Sequence, residues 1–553
     1  MAVRDESPLR LPFKSELPPS LGWLEVAAWA LFFAVLAGVC VQVHVKTARN
    51  LARGRRADWA YYWALGAWRR APDDPAKRAA VLKAARAVRS VKRHKGAIPR
   101  WRSAVRQFWA GRNIYRSHAT NVAADPLTGQ PLPGQARPAS ASAPAREQWL
   151  RLGAPAEELA ERPVHLHPNM PFVVILLSAF AYLPPQICLA VVNVLKIVAL
   201  LGAICAAAAA VNNGRHRMDE WVVGLAVLFA LPLIISDIQH VNTNLFVLGL
   251  LAVHLWLYRR GRDGWAGVVL ALAVCLKMTP ALFGLYWLYQ RNWRLLGGLV
   301  AALAVMVVGL PLVALGPTRF TELTGSWLAN LIVPGLLKAR PYPIHINQSL
   351  PGVFCRLVMH GNIYHNPDDF AVAPRFGYIN FLSLPLAAGR YVLMGLKLLI
   401  LAVAAWAVGW AKLPRDDARR GLHYGLVAAA MLILNQRTWD HHAVVLLISY
   451  LAIWYVLAYG RFGRRRRVAC LVVMLAAGAL NWLMGKSLFT LLAGRARGRE
   501  LADIVEAYGP AFVHFVLIFI LCVVLLRALR ATDRAGRTLF SSRRQPLGRN
   551  TAT

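Results

Sequence analysis

The sequence contains 553 residues, of which 57% are hydrophobic and 19 are tryptophan. Repeated apolar runs of about 20 residues have the length of membrane-spanning helices, which excludes an ordinary soluble protein. The formal net charge of +38 would suggest nucleic-acid binding in a soluble chain. Here the lysines and arginines cluster between the apolar runs, where they contact anionic headgroups, so we expect membrane lipids and no nucleic acid as partners.

The first elements follow from charge and hydropathy. Residues 1–20 carry Arg4, Arg10 and Lys14, which predicts a cytoplasmic N-terminus, and residues 21–45 predict the first transmembrane helix. Residues 46–167 then form a first outer loop. Between Lys46 and Arg116 this loop carries 20 Lys or Arg against three acids, which conflicts with the positive-inside tendency. That tendency applies to short loops, so the conflict does not reverse the predicted orientation.

Two helices are predicted inside this first outer loop. Apolar residues recur at helical spacing over residues 81–91 and again over 101–108, with arginines on the opposite face. The arginine and tryptophan content favours helices that lie on the membrane surface, whereas packing on a soluble lobe is the alternative. Residues 120–160 are rich in Pro, Ala, Ser and Gly and predict a flexible insertion.

The remainder of the chain is predominantly transmembrane. We expect a transmembrane core at 168–316, a second outer loop at 317–385, C-terminal transmembrane helices at 386–530 and a basic cytoplasmic tail at 531–553. The predicted fold class is an all-α integral membrane protein, a polytopic helical bundle with about 12 membrane segments. Two proline-interrupted apolar segments are each compatible with a kinked single helix or with a helical hairpin. A hairpin around Lys277 places the arginine-rich loops on the cytoplasmic side.

This topology gathers polar residues on the outer side, where a watery cavity lowers the cost of placing them at membrane depth. The polar segments are 237–242, the turn at Lys277, the second outer loop and 435–442. Asp58, which follows the first span, is predicted to lie on the same side. The sequence therefore predicts one cavity at the outer leaflet.

Asp58 is a lone carboxylate among basic residues, with Arg53, Arg55 and Arg56 before it. A carboxylate just outside the hydrocarbon can take a proton from a lipid-borne acceptor, so Asp58 is the candidate catalytic base. The alternative is a helix cap or an ion pair with a neighbouring arginine.

Two cations are candidates for binding phosphate. Lys277 lies at a Pro-interrupted apolar segment, where a lysine is costly unless it meets a partner or water. Snorkelling to the interface is its alternative explanation. Arg437 is the second candidate, and a plain loop cation is the alternative there.

The remaining candidates are polar or aromatic. His441 and His442 follow Asp440, but adjacent imidazoles at a helix start point about 100° apart, so no metal is expected. We expect one imidazole to bind phosphate or sugar while Asp440 orients it. Amides predicted to contact sugar or phosphate are Gln239, Asn242, Asn347 and Gln348. Aromatic residues that can stack on a sugar or polyprenyl chain are Tyr61, Tyr62 and Trp439. Caps, interhelical hydrogen bonds and the interfacial aromatic belt are the alternatives.

These residues carry a resemblance. The chain resembles the polyprenyl-phosphate-sugar-dependent glycosyltransferases of the GT-C class, specifically glycosyltransferase family 87, which includes bacterial alpha-1,2-mannosyltransferases. The matching pieces run in family order over roughly residues 20–460: Asp58-Trp59-Ala60-Tyr61-Tyr62, the entry motif at His167, Gln239 to Asn244, Leu276-Lys277-Met278-Thr279-Pro280, Asn347-Gln348-Ser349-Leu350 and Trp439-Asp440-His441-His442.

The resemblance implies a GT-C fold and an enzyme that needs no cofactor. It implies a bacterial plasma-membrane glycosyltransferase that moves a hexose or pentose from a polyprenyl-phosphate sugar to an envelope lipid or glycan acceptor on the outer face. The transfer would invert the anomeric centre, with Asp58 as base. The entry motif at His167 departs from the commoner Tyr-Pro-Pro pattern, so mannose and inositol lipid are not carried over. A transporter or flippase for a polyprenyl-linked lipid is the alternative, and a structural envelope subunit is a third interpretation.

Overall fold

Helices form the regular structure of this protein. The computed structural model describes residues 22–91, 96–115, 169–212, 218–337, 341–364, 377–483, 486–534 and 539. Within these residues Met359 and Ser383 form an isolated antiparallel β-bridge. Seven of the described helices are long and apolar enough to cross a membrane. The chain is therefore an all-α polytopic membrane protein, and the figure of about 12 membrane segments stays a prediction.

The helices are numbered here in chain order. They are α1 (Gly22–Arg69), α2 (Pro75–Ser90), α3 (Ile98–Trp109), α4 (Pro171–Ala181), α5 (Pro185–Val211), α6 (Glu220–His240), α7 (Asn244–Arg259), α8 (Asp263–Leu276), α9 (Ala281–Tyr289), α10 (Trp293–Leu315), α11 (Pro317–Trp327), α12 (Leu350–Val358), α13 (Leu386–Val408), α14 (Arg419–Leu434), α15 (Asp440–Tyr459), α16 (Arg464–Leu483), α17 (Lys486–Ala493), α18 (Arg495–Ala507) and α19 (Pro510–Arg534). Proline opens several of them, since the first turn does not use its missing N–H.

The core of the bundle is formed around α14 and α15. Every residue of α14 from Arg420 to Ile433 is buried, and α15 is buried along most of its length. Small residues allow neighbouring backbones to approach closely, as at Gly249 of α7, where an added Cβ would lie 3.3 Å from the carbonyl oxygen of Ala199 in α5. The ends of these packed helices determine where the polar residues next to them lie.

The segment around Lys277 is a hairpin. The starts of α8 and α10 lie together, because Arg262 and Arg294 line one shallow cavity and a side chain at Gly298 would overlap Gly264. Since α8 and α10 begin at the same end of the bundle, α9 must return between them. Lys277 therefore lies in the turn where the chain reverses, in agreement with the hairpin predicted from charge.

Helix α1 differs from the prediction. The sequence predicts a first helix that ends near residue 45, but α1 is a single 48-residue helix that continues to Arg69. Lysine and arginine are good helix formers, and residues 46–69 contain no proline, so nothing local stops the helix. The charged residues after position 45 end the apolar run but not the helix. The first part of the predicted outer loop is therefore a helical extension of α1.

The two amphipathic helices of this region are present, but protein covers their apolar faces. Tyr61 of α1 packs against Val81 and Val88 of α2, which makes an antiparallel hairpin. Trp101 and Phe108 of α3 are buried in the core that includes α4. That these helices lie on the membrane surface stays a prediction. Helical periodicity reveals an apolar face and leaves open whether lipid or protein covers it.

Candidate active site

Polar side chains from several helices meet at the end of the bundle where α6 ends and α7 begins. We call this set the polar cluster, and its members are Lys196, Asp237, His240, Asn242, Asn244, Lys277, His441 and His442. Gln239 is half-buried in the last turn of α6, and its predicted contact with sugar or phosphate stays a prediction. The opposite end carries the arginine-rich loops that follow α7, α9, α13 and α15.

A buried ion pair lies at the base of the polar cluster. The ammonium group of Lys196 lies 2.7 Å from a carboxylate oxygen of Asp237, and both side chains are fully buried. Lys196 also donates to the Asp237 carbonyl oxygen at 2.8 Å. The Asn244 amide donates to the other Asp237 carboxylate oxygen at 2.8 Å. The ion pair and these hydrogen bonds connect α5, α6 and α7 beneath the exposed residues of the polar cluster.

Lys277 extends this network towards the surface. Its ammonium group donates to the side-chain oxygen of Asn244, so Asn244 links Lys277 to the buried carboxylate of Asp237. Arg100 of α3 and Arg437 lie within electrostatic range of Lys277. Lys277, Arg100 and Arg437 therefore form a group of cations near the buried carboxylate, and such a group suits a negatively charged ligand.

The imidazoles of the polar cluster are oriented by neighbouring groups. The Asn242 amide donates to Nε2 of His441 at 2.9 Å, and the backbone N–H of Trp439 donates to Nδ1 of His442 at 3.3 Å. The Trp439 ring stacks on His442 at 5.7 Å between centroids. The His441 and His442 rings are nearly perpendicular, at 87°. Each imidazole therefore presents a different edge to the cavity.

His240 offers a proton acceptor. Its Nδ1 donates to the Ser236 carbonyl oxygen at 2.8 Å, so in the neutral ring Nε2 carries the lone pair. The ring stacks on His441 at 4.6 Å with an interplanar angle of 19°, and the side chain is exposed. An exposed imidazole with one nitrogen held by a carbonyl group has the arrangement of a general base.

The start of α3 packs directly on His240. The backbone N–H of Ala97 donates to the His240 carbonyl oxygen at 3.0 Å. Gly96 adopts a φ of +74°, and any side chain there would overlap that same carbonyl group, so only glycine fits both the conformation and the contact. This contact brings Arg100, one turn later, to the polar cluster.

An apolar groove begins beside the polar cluster. It has a volume of about 490 Å³. Thr243 and Leu276, each adjacent in sequence to a cluster residue, lie among its lining residues, and the groove follows α5 and α7 towards Val253. The lining residues are Trp101, Leu176, Leu177, Phe180, Val192, Leu195, Val198, Ala199, Gly202, Thr243, Phe246, Gly249, Leu250, Val253, Leu272 and Leu276. A ligand with an anionic head and a long apolar tail fits this combination.

Asp58 does not share the pocket predicted for it. His44 of α1 hydrogen-bonds Gln186 at the start of α5, and Cys40 lies within electrostatic range of Lys196. Asp58 is about four turns beyond His44 on the same helix, a rise of about 21 Å. It therefore lies in the α1–α2 hairpin, half-buried, and the expected juxtaposition with Lys277 and the paired imidazoles is wrong.

Two predicted ligand contacts are structural instead. Asn347 is fully buried, and its amide donates to the Tyr342 carbonyl oxygen at 2.9 Å while its oxygen accepts from the backbone N–H of Thr438 at 3.0 Å. Gln348 is also fully buried, and its amide donates to the carbonyl oxygen of Glu506 at 2.7 Å. Direct contact of these amides with sugar or phosphate is wrong in this conformation, because their hydrogen bonds hold the backbone.

The other residues predicted to contact sugar, phosphate or lipid lie at separate places in the structure. Tyr61 is fully buried between α1 and α2, so stacking on a sugar is wrong for it. Tyr62 is exposed on the α1 extension, and Asp440 is exposed at the first residue of α15. Arg437 lies 4.5 Å over the Tyr342 ring. His167 and the insertion at 120–160 lie outside the described residues, whereas Asn169 to Phe172 of the entry motif lead into α4.

Several cluster residues were missed from the sequence. Lys196 and Asp237 are charged residues inside apolar helices, a signal that could have paired them, since such charges need partners. His240 could have been found from its position at the end of α6 beside Gln239. Arg100 gave no such signal, because its place depends on how α3 packs.

Comparison with known proteins decides the family. Residues 169–434 match the family model described as glycosyltransferase family 87. This stretch belongs to glycosyltransferase family 87. The match indicates a membrane glycosyltransferase, and the matched stretch contains the Lys196–Asp237 pair and Lys277 but not Asp58. Comparisons with curated proteins and with solved structures gave no match.

Proposed function

We propose that this family 87 glycosyltransferase transfers a hexose or pentose from a polyprenyl-phosphate sugar to a lipid or glycan acceptor of the envelope. The observation that carries the proposal is the continuity between the cationic polar cluster and the apolar groove. A phosphate group suits the cations at Lys277, Arg100 and Arg437, while an isoprenoid chain fills the groove. A nucleotide sugar has no tail for this groove.

The dimensions of the groove suit an isoprenoid. Its lining residues on α7 run from Phe246 to Val253 and on α5 from Val192 to Gly202, a length of about 10 to 15 Å along helices that rise 1.5 Å per residue. The lining is almost entirely apolar, so its contact with a hydrocarbon chain replaces contact with membrane lipid. The phosphate end then lies beside Thr243 and Leu276, next to Lys277.

The chemistry is a direct displacement at the anomeric carbon. The acceptor hydroxyl oxygen forms the new bond to that carbon while the bond to the phosphate oxygen breaks, so the configuration inverts. The phosphate leaves with the bonding electron pair, and Lys277, Arg100 and Arg437 stabilise its negative charge. His240 takes the acceptor proton at Nε2. His441 and His442 are placed to hold the sugar, with Trp439 stacked behind His442.

Charge distribution supports an outer-face site. The described arginine-rich loops, near Arg260, Arg294, Arg419 and Arg466, lie at the end of the bundle opposite the polar cluster. Short basic loops remain on the cytoplasmic side, which supports a site on the outer face of a bacterial plasma membrane. A transporter or flippase would use a similar groove, but the family membership favours transfer over transport.

A reconstituted assay tests the donor class. The full chain, purified in detergent, is mixed with a lipid extract and with radiolabelled polyprenyl-phosphate mannose, glucose or arabinose, or with nucleotide sugars. Transfer of label from one polyprenyl-phosphate sugar to an extract lipid or glycan is the expected result. Transfer from a nucleotide sugar alone would overturn the donor and leave the glycosyltransferase activity intact. Movement of labelled lipid between leaflets without transfer would favour the transporter.

A further inference from the structure

A second constellation of polar groups lies away from the polar cluster, between α18 and the segment that precedes α12. It consists of His345, Asp503 and Glu506, whose ligand atoms all lie within 4.8 Å of one another. Nε2 of His345 lies 3.3 Å from Oδ1 of Asp503 and 3.9 Å from Oε2 of Glu506. Asp503 and Glu506 are three residues apart on α18, which places both carboxylates on one face of the helix.

We propose that His345, Asp503 and Glu506 bind one divalent cation of the Zn²⁺ or Mn²⁺ type. Such ions form bonds of about 2.0–2.2 Å to imidazole nitrogen and carboxylate oxygen, so neighbouring ligand atoms lie about 3.4 Å apart in a tetrahedral site. The 3.3 Å separation of His345 Nε2 and Asp503 Oδ1 has this spacing. Small side-chain rotations bring Glu506 in, and water completes the coordination.

The hydrogen bonding of His345 supports a cation at this position. Nδ1 lies 3.1 Å from the Ile363 carbonyl oxygen, which can only accept, so Nδ1 carries the hydrogen. In the neutral ring Nε2 then points its lone pair at two carboxylates, so this nitrogen takes either a metal ion or a proton, which the experiment below distinguishes. A histidine held by a carbonyl group on one nitrogen and aimed at acids on the other has the orientation of a metal ligand.

An independent observation comes from Gln348. This side chain is fully buried, and its Nε2 donates to the carbonyl oxygens of His345 at 2.8 Å and Glu506 at 2.7 Å. Its Oε1 is buried without a hydrogen-bond partner. A buried amide oxygen is costly to leave unpaired, and a cation with its bound water beside His345 and Glu506 supplies the missing partner.

The bound cation would connect two segments of the chain. It ties α18 to the segment 341–349, which also holds Asn347 against the backbone of Gln436 and Thr438. Trp439, which stacks on His442 in the polar cluster, follows directly. The cation therefore positions a loop next to the active site without contacting the reacting atoms.

The test measures bound metal in the full chain after removal of any affinity tag. The protein is stripped with EDTA in detergent, then titrated with Mn²⁺ followed by electron paramagnetic resonance, and with Zn²⁺ followed by elemental analysis. We expect one tightly bound equivalent, lost in His345→Gln and Asp503→Asn and kept in Asp73→Asn, which removes an exposed carboxylate at the α1–α2 turn. Bound metal should also raise the melting temperature of the wild type and not that of His345→Gln.

Two outcomes would overturn the proposal. Equal metal uptake by the wild type and both ligand variants would show that the cation binds elsewhere. Absence of binding, together with a melting temperature that falls in both variants regardless of EDTA, would show that an imidazolium ion pair holds the segment. The donor assay is a separate test, because it measures sugar transfer, and the proposed metal site lies outside the polar cluster.

Discussion

The ammonium group of Lys196 lies 2.7 Å from the carboxylate of Asp237, and both side chains are fully buried. Removing one partner of such a pair leaves an uncompensated charge in the interior. We expect Lys196→Met to lower the free energy of unfolding by about 3–5 kcal/mol, and Lys196→Met with Asp237→Leu to recover part of that loss. Thermal unfolding in detergent measures both, and an equal or greater loss in the double variant would contradict the pairing.

Lys277 should govern donor binding. The Lys277→Met variant loses a charge-assisted hydrogen bond to phosphate, so the KM for the polyprenyl-phosphate donor should rise about 10- to 100-fold. The melting temperature should change little, since Lys277 is only partly buried. The matched control is Lys412→Met, which removes an exposed lysine at the opposite end. A KM unchanged in Lys277→Met would exclude this residue from the phosphate site.

His240 and Asp58 can be compared as the proton acceptor. A general base typically contributes about 100- to 10,000-fold to the rate, so His240→Gln should lower kcat by at least about 100-fold while the donor KM holds. Asp58→Asn should retain activity, because Asp58 lies about 21 Å along α1 from His44. The reverse pattern in a single-turnover assay would restore Asp58 as the base and require α1 to bend in the active state.

The groove should select donors by tail length. No atom lies within 4 Å of a Cβ built at Gly202, so Gly202→Phe fits without backbone strain and projects into the groove. We expect a higher KM for a long polyprenyl donor and a smaller effect with a short-chain analogue. Gly224→Phe is the control, because Gly224 of α6 also has open space and is not among the groove residues. Equal effects of the two variants would argue against an isoprenoid in the groove.

Arg356 should stabilise the loop next to the active site. It is fully buried and donates to the carbonyl oxygens of Ala507 at 2.7 Å and of Ile344 and Asn347 at 2.8 Å each. Burial lowers the pKa of Arg356 to about 10, while Glu506 opposes the shift, so it stays charged at neutral pH.

Its removal takes a donor away from the Ala507 and Asn347 carbonyl oxygens, whereas the Ile344 oxygen still accepts from the backbone N–H of Asn347 at 2.9 Å. Arg356→Leu should destabilise the protein by about 3 kcal/mol or more and speed hydrogen exchange over 341–349 and α18. The exposed Arg294→Leu serves as the control. Unchanged exchange in Arg356→Leu would show that other contacts hold this loop.

The sequence predicted the positions of the helices better than it predicted which residues contact one another. The apolar runs at 186–211 and 386–410 correspond closely to α5 and α13, because hydrophobic length and proline positions are local properties. The pairing of Asn242 with His441 spans 199 positions, so no local pattern contains it. Asn347 had the amide chemistry of a ligand contact, yet packing used all of its hydrogen bonds internally.

By itself, the sequence determined a basic, all-α membrane protein whose polar residues gather at one end, because these properties depend on composition and on the spacing of apolar residues. The tertiary structure decided which of those residues meet. Local propensity lets α1 continue to Arg69, but the packing of α2 over Tyr61 makes this extension, which carries Asp58, one arm of a hairpin. That packing moved the candidate base from Asp58 to His240, because a polar side chain works with the neighbours that helix packing brings to it.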